Sequence, residues 1–249
     1  MLKHLVAVLG MVCAMGAAAQ QAGAAQKPVP QKTVDLDDLD KAPWAQDLQR
    51  RHAALIARNG PGTDAALRDR LLAMVETDQN ARGLSHGQPI NKDKLQMAPN
   101  MAAIDAQLTA ELKEIVAKDG WPTIALVGYD ASNGAMLILT HTADHAWQQT
   151  LLPQLEALAD SEKIDGSALA LVIDKELVSE GKLQRYGTQF KFVDGGMAMF
   201  GVEDPAGLDA RRAKVFLMPM QVYKQAMAQM YHMKVTGQVV MATPAAGAK

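Results

Sequence analysis

Ile104, Leu108, Leu112 and Ile115 recur at intervals of four, four and three residues, the repeat of a helix that buries one apolar face. The same period places Leu67, Leu71, Met74 and Val75 on one side of an earlier segment, and Leu169, Val172, Ile173 and Leu177 on one side of a later one. Punctuation agrees with it. A first helix from Trp44 to Arg58 ends at Asn59-Gly60-Pro61-Gly62, and a second starts at Thr63 or Asp64 as N-cap. A third runs from Met101 to Lys118. Ile124–Val127 is a short apolar segment, 131–141 favours helix, Asp144 caps a helix toward Asp160, and Asp165-Gly166-Ser167 caps another that ends at Gly181. Pro153 is tolerated only near a first turn.

The period changes to two at Thr188, Phe190 and Phe192, and Asp194-Gly195 is a strong two-residue hairpin turn before Met197–Val202. Asp204-Pro205 starts a short helix through Arg212, and Pro219 a last one to His232. The expectation is a mainly α fold, a single multi-helix domain over 44–232 with one β-hairpin. That length buries roughly 70% of its unfolded surface.

The ends read differently. Lys3 and His4 precede an apolar run, Leu5–Met15, and Ala17-Ala18-Ala19 is a small-residue cleavage site before Gln20, with a second at Ala22-Gly23-Ala24. This is the anatomy of a signal peptide over 1–19, and the run falls short of the roughly 20 residues a membrane span needs. Cys13, the one cysteine, lies within it. Met11-Val12 before it are not the small residues a lipid-anchor site prefers. Past the leader no disulfide or thiolate zinc site is possible. The cleaved chain carries 24 basic and 27 acidic residues, a net charge of −3, with Arg50-Arg51 and Arg211-Arg212 as isolated basic pairs. Nucleic acid is therefore not an expected partner, nor is membrane insertion after cleavage. The expected location is the periplasm or the medium. Residues 20–43 read as a flexible linker, 233–249 as a disordered tail, and Gly83–Pro99 as a long polar loop.

Several constellations bear on chemistry. His141, Asp144 and His145 would share a face on a continuous helix and suit zinc; if Asp144 caps a new helix, they diverge. Met218, Met220, Met227, Met230 and Met233 crowd the last helix beside His232. Thioethers suit Cu(I), but Met227, Met230, Val222, Tyr223 and Ala226 form one apolar stripe and read as core. Ser167 is more economically an N-cap than a nucleophile, Gly83-Leu84-Ser85-His86-Gly87 lacks a nucleophile-elbow context, and no phosphate-cradling loop is present. No metal site and no cofactor are assigned.

Leu71-Leu72-Ala73-Met74 with Asp78-Gln79 and Arg82, Ile104-Asp105, Gly120-Trp121-Pro122-Thr123, Gly128, His141, Gln148, Leu152-Pro153, Asp174 and Gln184-Arg185-Tyr186-Gly187-Thr188-Gln189 together resemble an uncharacterised bacterial domain family. The resemblance covers residues 67 to 223. It implies a shared fold and no reaction. Two departures stand out: members carry Gln-His-Ala-Asp where this chain has Thr140-His141-Thr142-Ala143-Asp144, and Asp-Arg where it has Asp174-Lys175.

The resemblance narrows the ligand-binding candidates to Asp78, Gln79, Arg82, His141, Tyr186, Thr188 and Gln189, which would converge on a cleft between helix 64–82 and the hairpin. Arginine suits a carboxylate or amide ligand. The plainer alternative is an Asp78–Arg82 pair within one helix and a Gln189 that satisfies backbone. Trp121 reads as a packing anchor. The first reading is a domain that binds a ligand or partner, an unknown small molecule or peptide; the alternatives are an envelope hydrolase with His141 as general base and a purely structural interaction domain. Whether the chain is an enzyme is undecided at this stage.

Overall fold

The computed structural model describes residues 41–84 and 98–243. The expected signal peptide over 1–19 and linker over 20–43 as far as Asp40, most of the 83–99 loop and the last six residues lie outside them. Nine α-helices and three strands occur among the described residues: α1 (Pro43–Asn59), α2 (Ala65–Ala81), α3 (Met101–Asp119), α4 (Ile124–Val127), α5 (Tyr129–His141), α6 (His145–Asp160), α7 (Gly166–Ser179), β1 (Phe190–Val193), β2 (Gly196–Phe200), α8 (Leu208–Lys214), α9 (Met220–Tyr231) and β3 (Val235–Val240). The fold is mainly α, as the sequence indicates. Among these residues no helix is long and apolar enough to cross a membrane.

The chain divides into two compact units, residues 52–172 and residues 41–51 with 173–243, and the divisions fall inside α1 and α7. The periodicity, which reads as one domain from 44 to 232, carries no sign of this division. In the unit 52–172, α5 packs against α2 and α3. Leu71, Leu108, Leu112, Ile115, Leu139 and Leu155 are buried, and so is Trp121, the expected anchor. α2 and α5 approach closely at Gly134, where a Cβ would lie 2.5 Å from Val75 Cγ2. The α1–α2 turn is stitched to the α4–α5 turn, since the Thr63 and Asp64 N–H groups both donate to the Leu126 carbonyl. Asp64 caps α2 by accepting from Leu67 N at 2.9 Å. Pro153 sits inside α6, away from its first turn. It lies on the exposed side of the helix, where its ring displaces no packed neighbour.

In the other unit, β1 and β2 form the expected antiparallel hairpin, with Val193 opposite Gly196 across Asp194-Gly195. Residues 235–240 correct the reading of a disordered tail, because they form β3, parallel to β2. A parallel neighbour requires a crossover, here the turn 205–207, α8 and α9. That partner lies 35 residues upstream of β3's start, so a short strand interrupted by Gly237 gives little local signal. Met218, Met220 and Met227 are buried with Tyr223 and Ala226 in an apolar core.

Gly62 has φ +92° and a Cβ there would lie 2.5 Å from the Gly128 nitrogen, whereas Gly60 has φ +77° and open space around it. Gly62→Ala should therefore cost about 3 kcal/mol and Gly60→Ala roughly 1, read from urea unfolding midpoints. Equal costs would contradict the backbone contact.

Candidate functional site

The C-terminal turn of α2 carries Asp78, Gln79 and the capping Arg82. Asp78 is wholly buried, so its carboxylate must gather donors from the protein. His141, the last residue of α5, brings Nδ1 to 2.8 Å from Asp78 Oδ1. Gln79 Nε2 donates to Oδ2 at 2.8 Å. Arg82 lies one turn on and spans two acids, with Nη1 3.0 Å from Asp78 Oδ1 and Nη2 2.9 Å from Asp105 Oδ1 on α3. Side-chain exposure is 1% for Asp78, 6% for Arg82, 10% for His141 and 16% for Asp105. With a neutral imidazole the four groups carry a formal charge of −1.

This geometry decides the tautomer. A carboxylate only accepts, so Nδ1 carries the proton and the lone pair lies on Nε2. Nε2 has no hydrogen-bond partner among the described residues. Arg82, expected as a ligand's anchor, is instead committed to Asp78 and Asp105, and the anticipated one-turn Asp78–Arg82 pair is present.

The helix breaks immediately after His141. Thr142 is extended, and Asp144 starts α6 by accepting from Trp147 N at 3.0 Å. His141, Asp144 and His145 therefore lie across a break and not on one helical face. Among the described residues no three His, Cys, Asp or Glu side chains are grouped to hold a metal. Asp144 pairs with Lys113, and the lysine's hydrogen bond, joined by the Trp147 N–H, holds its carboxyl below the ordinary range. The Thr109 hydroxyl donates to the Asp105 carbonyl at 2.7 Å and lies 3.0 Å from the Thr142 hydroxyl. α3 is thereby tied to the residue that follows His141.

Sequence reasoning missed a second polar cluster in this unit. Asp165 is buried, with Oδ2 2.6 Å from the Tyr129 hydroxyl and 3.1 Å from His52 Nε2, while Oδ1 accepts from Ser167 N at 2.7 Å. Burial alone would push its carboxyl up, but the His52, Tyr129 and Ser167 contacts outweigh that and leave it below the usual range. Burial and the adjacent Asp165 charge push the Tyr129 phenol well above its ordinary value. The cap at Asp165-Gly166-Ser167 was legible, but no spacing links His52, Tyr129 and Asp165.

Tyr186, Thr188 and Gln189 lie in the other unit, where Tyr186 and Thr188 bond Asp174 of α7, also wholly buried. Asp174 Oδ1 accepts from Arg185 N at 2.7 Å and Tyr186 N at 2.9 Å, and Oδ2 from Thr188 N and its hydroxyl, both at 2.9 Å. Burial raises this carboxyl, against the hydrogen bonds from Thr188, Tyr186 and Arg185. Gly187, at φ +70°, lets the loop turn around the carboxylate beside Met220 and Met199. Gln189 Nε2 donates to the Thr188 hydroxyl at 3.0 Å and Gln189 N to Gln184 Oε1 at 2.8 Å. Arg212, fully buried, donates to the Tyr186 and Met218 carbonyls at 2.6 and 2.7 Å and sits over the Tyr223 ring. Burial lowers its guanidinium to about 10. The polar groups of this loop thus serve one another and Asp174.

A family model described as a family of unknown function, DUF6624, matches residues 65–236. The match spans more than half of the chain, and the chain belongs to that family. No curated protein and no solved structure matches it.

Two outcomes follow from the buried carboxylates. Asp174→Asn replaces an acceptor with a donor facing the Thr188 N–H and hydroxyl, and should cost about 3 kcal/mol in chemical denaturation; an unchanged midpoint would contradict the geometry. Asp165 has a depressed folded value, so its stabilisation is present above the unfolded carboxylate value of about 3.9 and is lost as pH falls through the lower folded one. Stability measured from pH 6 to 2 should decline across that window in the parent and less steeply in Asp165→Asn.

Proposed function

We propose that this chain is an exported hydrolase in which His141 acts as general base on a small-molecule or peptide substrate. One observation carries the reading: His141 holds Nδ1 against the buried Asp78 carboxylate, and Nε2 has no hydrogen-bond partner among the described residues. That is the arrangement in which a neutral imidazole accepts a proton at a defined atom. Nε2 takes a proton from water as the water oxygen bonds to the acyl carbon of an ester or amide. The same proton then passes to the departing alcohol or amine, so the sum is addition of water across the cleaved bond. Asp78, oriented by Gln79 and Arg82, holds the ring and balances the imidazolium that forms between the two transfers.

Of the residues that a binding reading offers to a ligand, Arg82 already lies within ion-pair distance of two acids. The anatomy of residues 1–19 supports export, to the periplasm or the medium.

The test is a panel of p-nitrophenyl esters and peptide p-nitroanilides with purified protein. His141→Gln should lower kcat by about 10²- to 10⁴-fold, and Asp78→Asn by a smaller factor, with circular dichroism unchanged in His141→Gln. A His141→Gln variant as active as the parent, or a parent that turns over no member of the panel, would overturn the reading.

A further inference from the structure

The geometry points to Arg82 and Asp105 as positioning residues that set the proton affinity of His141 through Asp78. This role rests on the reading of His141 as the base, but it concerns the imidazole itself and can be tested without a substrate.

Arg82 Nη1 and His141 Nδ1 face the same atom, Asp78 Oδ1, at 3.0 and 2.8 Å. Only the imidazole hydrogen-bonds that oxygen, while the guanidinium meets it as an ion pair, and the permanent cation weakens the carboxylate's hold on a second positive charge. Asp105 keeps the cation in place through Nη2 at 2.9 Å and returns part of the negative potential. Each of the four side chains is at most 16% exposed, so solvent screens these charges poorly. The tie from Thr109 to the Asp105 carbonyl and to Thr142 holds the acid's backbone in register with the end of α5.

Removing either partner has a predictable sign. Without the Arg82 charge, Asp78 and Asp105 leave the site at −2 with a neutral ring, and imidazolium is favoured. Without the Asp105 charge, Asp78 and Arg82 cancel, and imidazolium is disfavoured. The remaining charges on the neighbouring elements, the Lys113–Asp144 pair and His145 at the start of α6, are the same in every variant.

The experiment is an NMR titration of the His141 ring in the full chain. Relative to the parent, Arg82→Gln should raise the midpoint by about 1 pH unit and Asp105→Asn should lower it by a smaller amount. Arg82→Lys, which keeps the charge, should restore most of the parent value. If Arg82→Gln does not fold, the downward shift in Asp105→Asn decides the matter alone. Midpoints that stay put, or that move in the same direction in both variants, overturn the proposal even if His141 proves essential for turnover. Loss of hydrolysis as a function would leave these shifts intact, so the two failures are distinguishable.

Discussion

A carboxylate removed from water must be given donors or it will not stay charged, and three of the buried acids among the described residues, Asp78, Asp165 and Asp174, tie the fold together in meeting that demand. Each is reached by groups from segments distant in sequence. Asp78 joins the end of α2 to the end of α5, and Asp165 joins α1, the start of α5 and the start of α7. Asp174 draws in the whole 185–188 loop. With a single cysteine and only 4% aromatic residues, the chain has neither an internal disulfide nor many large rings to fix its junctions. Buried acids with directional partners fix them instead, while leucines and methionines fill the space between.

The three acids differ in what their donors leave over. Around Asp174 the donors are mainly backbone N–H groups, and the nearby Thr188 and Gln189 side chains spend their polar atoms on the loop itself. Around Asp78 the donors are side chains, and one of them, His141, has a second nitrogen with no hydrogen-bond partner among the described residues. The same physical demand therefore yields a packed loop in one unit and a buried aspartate–histidine pair in the other.

Much of the helical architecture was legible because its signals are local. Asp64, Asp144 and Asp165 each announce a helix start within three residues, and the apolar spacing of α3 needs no knowledge of its neighbours. Asp194-Gly195 announces the hairpin in the same way. β3 was not legible, since its partner lies across two intervening helices and its own run is short. Pro153 misled for a related reason: whether a helix tolerates proline depends on which side faces solvent, which spacing alone does not reveal. The site was legible as a set of residues and not as an arrangement. Asp78, Arg82 and His141 were named, but Asp105's hold on Arg82 turned the expected ligand anchor into an internal counterion. His52 and Tyr129 gave no hint at all, because a lone imidazole and a lone phenol acquire meaning only beside Asp165.

The central claim is that Asp78 dictates which nitrogen of His141 carries the proton. Long-range ¹H–¹⁵N correlation NMR on the neutral ring measures this directly. The account predicts the Nδ1–H form in the parent protein and its loss as the dominant form in Asp78→Asn. A parent ring protonated mainly at Nε2 would contradict it, and with it the assignment of that nitrogen as the accepting atom.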